Sequence, residues 1–236
     1  MKTTSILLIF GIFIAALMAG CSSSNGGGST SNYYPHSNGN SWNYSQIATL
    51  IGTAESLTVN ADPQVSTIKT TFNGTTSIET VGVVQILKQE TTIATAVSTT
   101  DSLVLANDDG VWTYGTSSAP STTGLLMYDF PLSLNKSWTI TGSYEGTVIG
   151  QETVTTDAGT FNCYKIQLTN NAFADTYNSI TFTDFTYIVW LGDGAGIVKW
   201  SFTGAGTGSY VFPDPIGTKT GTFSVSLAAT LTSKNF

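Results

Sequence analysis

Arginine is absent from this chain of 236 residues, and its eight basic residues are all lysine. That removes the side chain best suited to bidentate phosphate contacts. Fifteen Asp and Glu give a formal net charge of −7, so nucleic acid is not an expected partner. Histidine occurs once, at His36. A Ser-His-Asp arrangement would need that residue as base, and no Gly-x-Ser-x-Gly elbow accompanies it. A zinc site needs three or four convergent His, Cys or carboxylate ligands, and no such set is present. No metal or cofactor is therefore expected. Only 10% of residues are charged, whereas Thr, Ser, Gly and aromatics are abundant. This is the composition of an exported β protein.

The longest uncharged apolar run, residues 6–18, is also short. A bilayer-spanning helix needs about 20 apolar residues. Preceded by Lys2, the run instead fits the h-region of a secretory signal, which is about 7–15 residues long. It ends in Leu17-Met18-Ala19-Gly20-Cys21. This string resembles the lipobox of bacterial lipoproteins, with Met18 where leucine is commonest. The resemblance implies cleavage between Gly20 and Cys21 and a diacylglycerol on the Cys21 sulfur. Ser22 after the cysteine implies outer-membrane sorting where two membranes exist. Loss of Lys2 with the leader takes the net charge to −8.

These features divide the chain into a signal at 1–20, a lipidated Cys21 with a Ser/Gly/Asn tether to residue 32, and a β domain over 33–236. A tether of this composition behaves as a coil, with an end-to-end distance on the order of 15–20 Å. The domain would sit close to the membrane. Once Cys21 is a thioether, Cys163 is the only thiol left and no internal disulfide can form. Cys163 lies in a strand-like stretch and reads as a small buried hydrophobe.

Period-2 alternation carries the fold reading. Phe223, Val225, Leu227, Ala229 and Leu231 alternate with small or polar residues, which gives one packed and one polar face. Val198, Trp200 and Phe202 do the same, as do Leu57, Val59 and Ala61. Residues 187–191 are apolar on both faces, as in a doubly covered strand. Residues 107–110, 157–159 and 192–196 have turn chemistry. One short helix is expected over residues 45–51, with Ser45 as its cap. The expected class is all-β, a strongly curved antiparallel sheet forming a half-barrel or open barrel, with a β-sandwich as the alternative. Pro35-His36-Ser37-Asn38-Gly39-Asn40-Ser41-Trp42 and Pro131-Leu132-Ser133-Leu134-Asn135-Lys136-Ser137-Trp138 share the pattern P-x-S-x-x-x-S-W. The echo points to two duplicated halves, 33–128 and 129–236.

Several elements resemble a group of uncharacterised bacterial envelope lipoproteins. They are Tyr34-Pro35, Gly39, Trp42-Asn43-Tyr44, Gly110-Val111-Trp112-Thr113-Tyr114, Pro131, Trp138, the stretch from Ala158 to Cys163, and Trp190 with Gly194 to Lys199. The resemblance spans most of the mature chain. It implies a curved antiparallel sheet akin to the half-barrel periplasmic lipoprotein carriers, and it brings no activity or catalytic residues.

Carboxylates give the remaining enzymatic reading, with Glu145 and Glu152 as the pair for a hydrolase. Seven residues apart in one strand they face opposite sides, which argues against convergence. Asp108, Asp109 and Asp193 lack the EF-hand ligand series and read as turn residues. Trp42, Trp112, Trp138, Trp190 and Trp200 are the candidates for an apolar or stacking surface, although aromatics also fill β cores. The expected function is a non-catalytic binding or structural module, held on the membrane by the Cys21 lipid, that meets an apolar ligand or another envelope component. The alternatives are a carbohydrate-binding surface protein and, behind it, the carboxylate hydrolase.

Overall fold

The computed structural model describes residues 33–142, 144–170, 175–177, 180–212 and 214–236. Its first seven strands are β1 Ser41–Ala54, β2 Leu57–Asn60, β3 Gln64–Ile78, β4 Gly82–Ile93, β5 Ala96–Asn107, β6 Gly110–Thr116 and β7 Ala119–Asp129. The other seven are β8 Ser137–Thr141, β9 Tyr144–Thr156, β10 Gly159–Asn170, β11 Asp175–Tyr177, β12 Ile180–Gly192, β13 Gly196–Phe212 and β14 Gly217–Asn235. They form a single sheet in the order β7-β6-β5-β4-β3-β1-β14-β13-β12-β10-β9-β8, with β2 on β1 and β11 on β12. Every recorded pairing is antiparallel. The sheet curls into a nearly closed barrel with one unsealed seam, between β7 and β8. The open-barrel expectation holds, and a single continuous sheet replaces the sandwich alternative.

The order separates into two six-stranded meanders, one within β1–β7 and one within β8–β14. They divide where the P-x-S-x-x-x-S-W pattern recurs. One junction is a continuous ladder of β1 against β14, from Ser41 opposite Asn235 to Ala54 opposite Gly221. Backbones approach closely here, because a Cβ on Gly221 would collide with the Thr53 carbonyl and Ala54 Cα. The other junction is the seam. Where β7 ends and β8 begins, it is bridged by the Trp138 indole, which donates to the Met127 carbonyl at 3.2 Å, and by Lys136 with Asp129 at 3.2 Å.

The helix expected over residues 45–51 is a correction, since that stretch lies inside β1. Trp42, Tyr44, Gln46, Ala48 and Leu50 are buried, while Ile47 and Ile51 are about half exposed. The true period is 2. Hydrogen bonding to β3 and β14 on both sides outweighs the local capping preference of Ser45. In β14 the expected alternation is observed, with Phe223, Val225, Leu227, Ala229 and Leu231 all buried. In β12, Tyr187, Val189 and Leu191 enter the main core, while Trp190 joins a second cluster with Val154, Cys163, Ala195 and Val198. Both faces of that strand are covered, as its composition predicts.

The turn residues behave as the sequence predicts. Asn107 Oδ1 accepts from the backbone N–H of Asp109 at 2.9 Å and of Gly110 at 3.1 Å. Gly194 and Gly196 adopt φ of 64° and 76°, left-handed values that a side chain would resist.

The described chain enters at the barrel end that carries the β9–β10 and β12–β13 hairpins. Tyr33 packs between Phe130 and Tyr164, with ring centroids at 6.0 and 5.4 Å. Tyr34 is buried against Trp42 and Tyr128. His36 sets its ring edge against Phe72, and its carbonyl accepts from Gln85 Nε2. Burial lowers the His36 pKa from 6.5 to about 4. The unfolded chain therefore binds this proton first. Its contribution to stability is complete above pH 6.5 and is lost as pH falls toward 4. The urea midpoint of the wild type should drop between pH 7 and pH 4.5, and His36→Phe should flatten that part of the profile. An unchanged slope in the variant would show that other groups control it.

Candidate functional site

The inner face of the barrel is chemically divided. Among the described residues, the buried Ser, Thr and Gln are Ser41, Gln46, Ser66, Thr70, Gln89, Thr91, Ser102 and Thr113. All belong to the first meander. The second meander lines its side with Trp200, Phe223, Ile166, Leu168, Leu191, Ile197 and Leu231, each less than 2% exposed. The first meander thus mixes buried Ser, Thr and Gln with apolar residues such as Ile68, Phe72, Leu87 and Val104, and it faces a more uniformly apolar second meander across an interior packed with side chains.

Register places the key groups side by side. Ser66 lies opposite Gln46, Gln46 opposite Ala229, Ala229 opposite Trp200, and Trp200 opposite Val189. This is one inward row running through β3, β1, β14, β13 and β12. Tyr187 is the next inward residue on β12, with its ring 6.1 Å from that of Trp200. Gln46 Oε1, Ser66 Oγ, Tyr187 OH and Trp200 Nε1 are all buried with no hydrogen-bond partner in the protein. A buried unpaired polar group costs about 1–3 kcal/mol, so four in neighbouring positions are an unusual concentration.

Tyrosines extend this cluster toward the seam. Burial, followed by the nearby Tyr128, Tyr144 and Tyr44, holds Tyr187 well above the usual phenol range. Burial and then Tyr128 do the same for Tyr44, and burial and then Tyr144 for Tyr128. Tyr44 donates to the Ile197 carbonyl at 3.0 Å. Tyr128 is on the seam strand β7, and Tyr144 is at the start of β9, one strand in from the other edge of the seam. The phenols of Tyr44, Tyr128 and Tyr187 remain neutral at physiological pH and act as donors and acceptors.

The five tryptophans do not share one surface. Trp42 and Trp200 are in the main core, and Trp138 is also in it, behind the seam. The Trp42 indole donates to the Ala195 carbonyl at 2.6 Å. Trp190 anchors the second cluster, donates to Glu152, and lies beneath Lys165 and Lys199 at 5.1 and 4.5 Å from the ring centroid. Trp112 is half-buried, packed against a third cluster of Ile78, Val84, Leu103 and Tyr114. What the sequence missed is the set of neutral polar partners around Trp200. Its only signal was the Ser, Thr and Gln that interrupt the inward apolar positions, with Ser66 and Thr70 beside Ile68 and Phe72 in β3, and Gln89 and Thr91 beside Leu87 in β4.

Glu145 and Glu152 are both exposed on β9, and Glu152 is engaged by Trp190 and by Lys165 at 3.9 Å. Among the described residues no group of three or more His, Cys, Asp or Glu could hold a metal ion. Cys163 is 2% exposed, and burial followed by the charge of Glu152 pushes its thiol up to about 12. At pH 8 only about one molecule in ten thousand carries the thiolate there. Iodoacetamide at that pH should leave Cys163 unmodified in the folded protein and label it fully in denaturant. Rapid labelling of the folded protein would contradict the buried assignment.

Residues 135–201 match the DUF3108-like family model. That segment begins before β8 and ends in β13, so it covers part of the second meander. Among solved structures, the chain is similar to a "putative lipoprotein" of Parabacteroides distasonis ATCC 8503, at 12% identity and a TM-score of 0.39 over 86% of this chain and 98% of that one. It is also similar to a "putative exported protein with YmcC-like fold" of Bacteroides fragilis NCTC 9343, at 11% identity and a TM-score of 0.40 over the same shares. No curated protein matches the chain.

Proposed function

We propose that this chain is a lipid-anchored protein of the bacterial cell envelope whose barrel serves as a non-catalytic binding or structural module. The observation that carries the binding part is the set of buried hydrogen-bonding groups left unpaired in the interior, where the buried Ser, Thr and Gln of the described residues all lie in the first meander. The anchor rests on the lipobox-like string ending at Cys21, which lies outside the described residues, as do the signal and the tether. Ser22 supports the outer membrane where one exists. Two or more acyl chains give a stable anchor, whereas one gives only marginal residence. The position of Tyr33 supports an orientation in which the barrel end bearing the β9–β10 and β12–β13 hairpins faces the membrane. The partner is then an envelope component or a ligand reached from the seam. The carbohydrate-surface alternative finds no support in the tryptophans, since Trp42, Trp138, Trp190 and Trp200 are all buried.

Metabolic labelling with a palmitate analogue tests the anchor. Wild-type protein should incorporate label and partition with membranes, and Cys21→Ser should lose both. A variant that remains membrane-bound would remove the lipoprotein reading.

A further inference from the structure

We infer that the cluster of Gln46, Ser66, Tyr187 and Trp200 is an internal binding site for an uncharged hydroxylated group, entered through the seam between β7 and β8. This deepens the binding-module reading and rests on it. The argument begins with position. The four side chains are 3%, 4%, 3% and 0% exposed, and they come from four strands of both meanders. Their unpaired atoms offer both kinds of hydrogen-bonding function. Trp200 Nε1 can only donate, Gln46 Oε1 can only accept, and the Tyr187 and Ser66 hydroxyls can do either. A ligand that satisfies all four must itself carry donors and acceptors, as a hydroxyl does.

Charge narrows the class. The inward row contains no Lys, Asp or Glu, and the tyrosines around it are held in their neutral form. An ion buried here would find no counter-charge and would bear its full desolvation cost. Fatty acids and phosphates are thus disfavoured relative to neutral alcohols. The surroundings narrow it further. Ala229 sits in the row between Gln46 and Trp200, and Ala48 is the next inward residue on β1, so two of the side chains beside the polar groups are small. Beyond them are Val189, Phe202 and Leu227, surfaces suited to the carbon skeleton of a sugar or to glycerol carbons.

Access follows from register. Tyr187 lies opposite Leu168, Leu168 opposite Gly146, and Gly146 opposite Trp138 on the seam strand β8, so a short inward row joins the barrel's open junction to Tyr187 and its neighbour Trp200. The same chemistry could arrive as a free sugar or as the head of a neutral lipid such as a monoacylglycerol.

The test uses the mature lipidated protein in phosphatidylcholine nanodiscs, with thermal unfolding and native mass spectrometry as readouts. Glucose, 1-monoolein and sodium oleate are the probes. A rise in midpoint of about 3 °C or more with glucose or with monoolein, but not with oleate, supports the site, and which of the two acts identifies the source. The Gln46→Leu/Trp200→Phe double variant should lose that shift, whereas Trp190→Phe should keep it. Should the double variant fail to fold, Tyr187→Phe removes a single hydroxyl and should weaken the shift. No response to any probe, an equal response to oleate, or a response that survives the double variant would overturn the assignment. None of these results touches palmitate labelling of Cys21, so the anchor stands or falls separately.

Discussion

Trp200→Ala should destabilise the barrel by about 3–5 kcal/mol. The indole is fully buried in the inward row, flanked by Val189 and Ala229, with the Tyr187 ring tilted against it. Truncation removes its contacts and leaves a cavity that a hydrogen-bonded sheet cannot close by collapsing. Against a typical total of about 5–15 kcal/mol, this loss would unfold a substantial fraction of molecules at 37 °C. Trp200→Phe should behave quite differently. It removes the unpaired Nε1–H, which offsets part of the lost ring volume, so its cost should stay below about 1.5 kcal/mol. Urea unfolding followed by far-UV circular dichroism distinguishes the two. Equal losses from both substitutions would mean that the indole nitrogen is satisfied after all.

Trp138→Ala is the second large effect, and it should be local as well as global. This indole is 7% exposed, reaches across the seam to the Met127 carbonyl, and lies where a Cβ on Gly146 would collide with it. Deleting it should cost about 3–5 kcal/mol in total stability. It should also raise hydrogen exchange in β7 and β8 more than in β1 and β14. The reason is that β7 and β8 have no ladder between them, whereas β1 and β14 are paired along fourteen residues. Trp138→Phe keeps most of the packing and loses one hydrogen bond, for about 1 kcal/mol. A uniform increase in exchange across all four strands would argue that the seam is not held by this residue.

Much of the second meander could be read from the sequence, because its strands contrast apolar and polar positions. The alternation in β14 and the doubly apolar run in β12 translate directly into burial. The first meander offered less. In β3, Ser66 and Thr70 point inward while Thr67 and Thr71 point outward, so hydroxyls on both faces blur the alternation that Ile68 and Phe72 carry. The residues of β1 around Ser45 then looked helical, since a serine before an apolar run also fits a cap. The site around Trp200 depends on register among β3, β1, β14, β13 and β12, which no local pattern encodes. Ser66 and Trp200 meet the same row only because β14 returns to pair with β1. The pairing of Glu152 with the Trp190 indole was equally invisible, since the two lie 38 positions apart.

The β1–β14 ladder also sets a schedule. Asn43 and Ser233, which hydrogen-bond across it at 3.0 Å, are 190 positions apart, so the sealed junction is among the last contacts a growing or translocating chain can make. Until β14 arrives, β1 presents an unpaired edge with Ile47 and Ile51 on its outer face. Contacts of such long range slow folding, and waiting edges invite strand exchange with other chains. A protein built this way is open to strand exchange until β14 is in place, and the interval before β14 emerges is when a holding chaperone over the β1 edge would matter most to it.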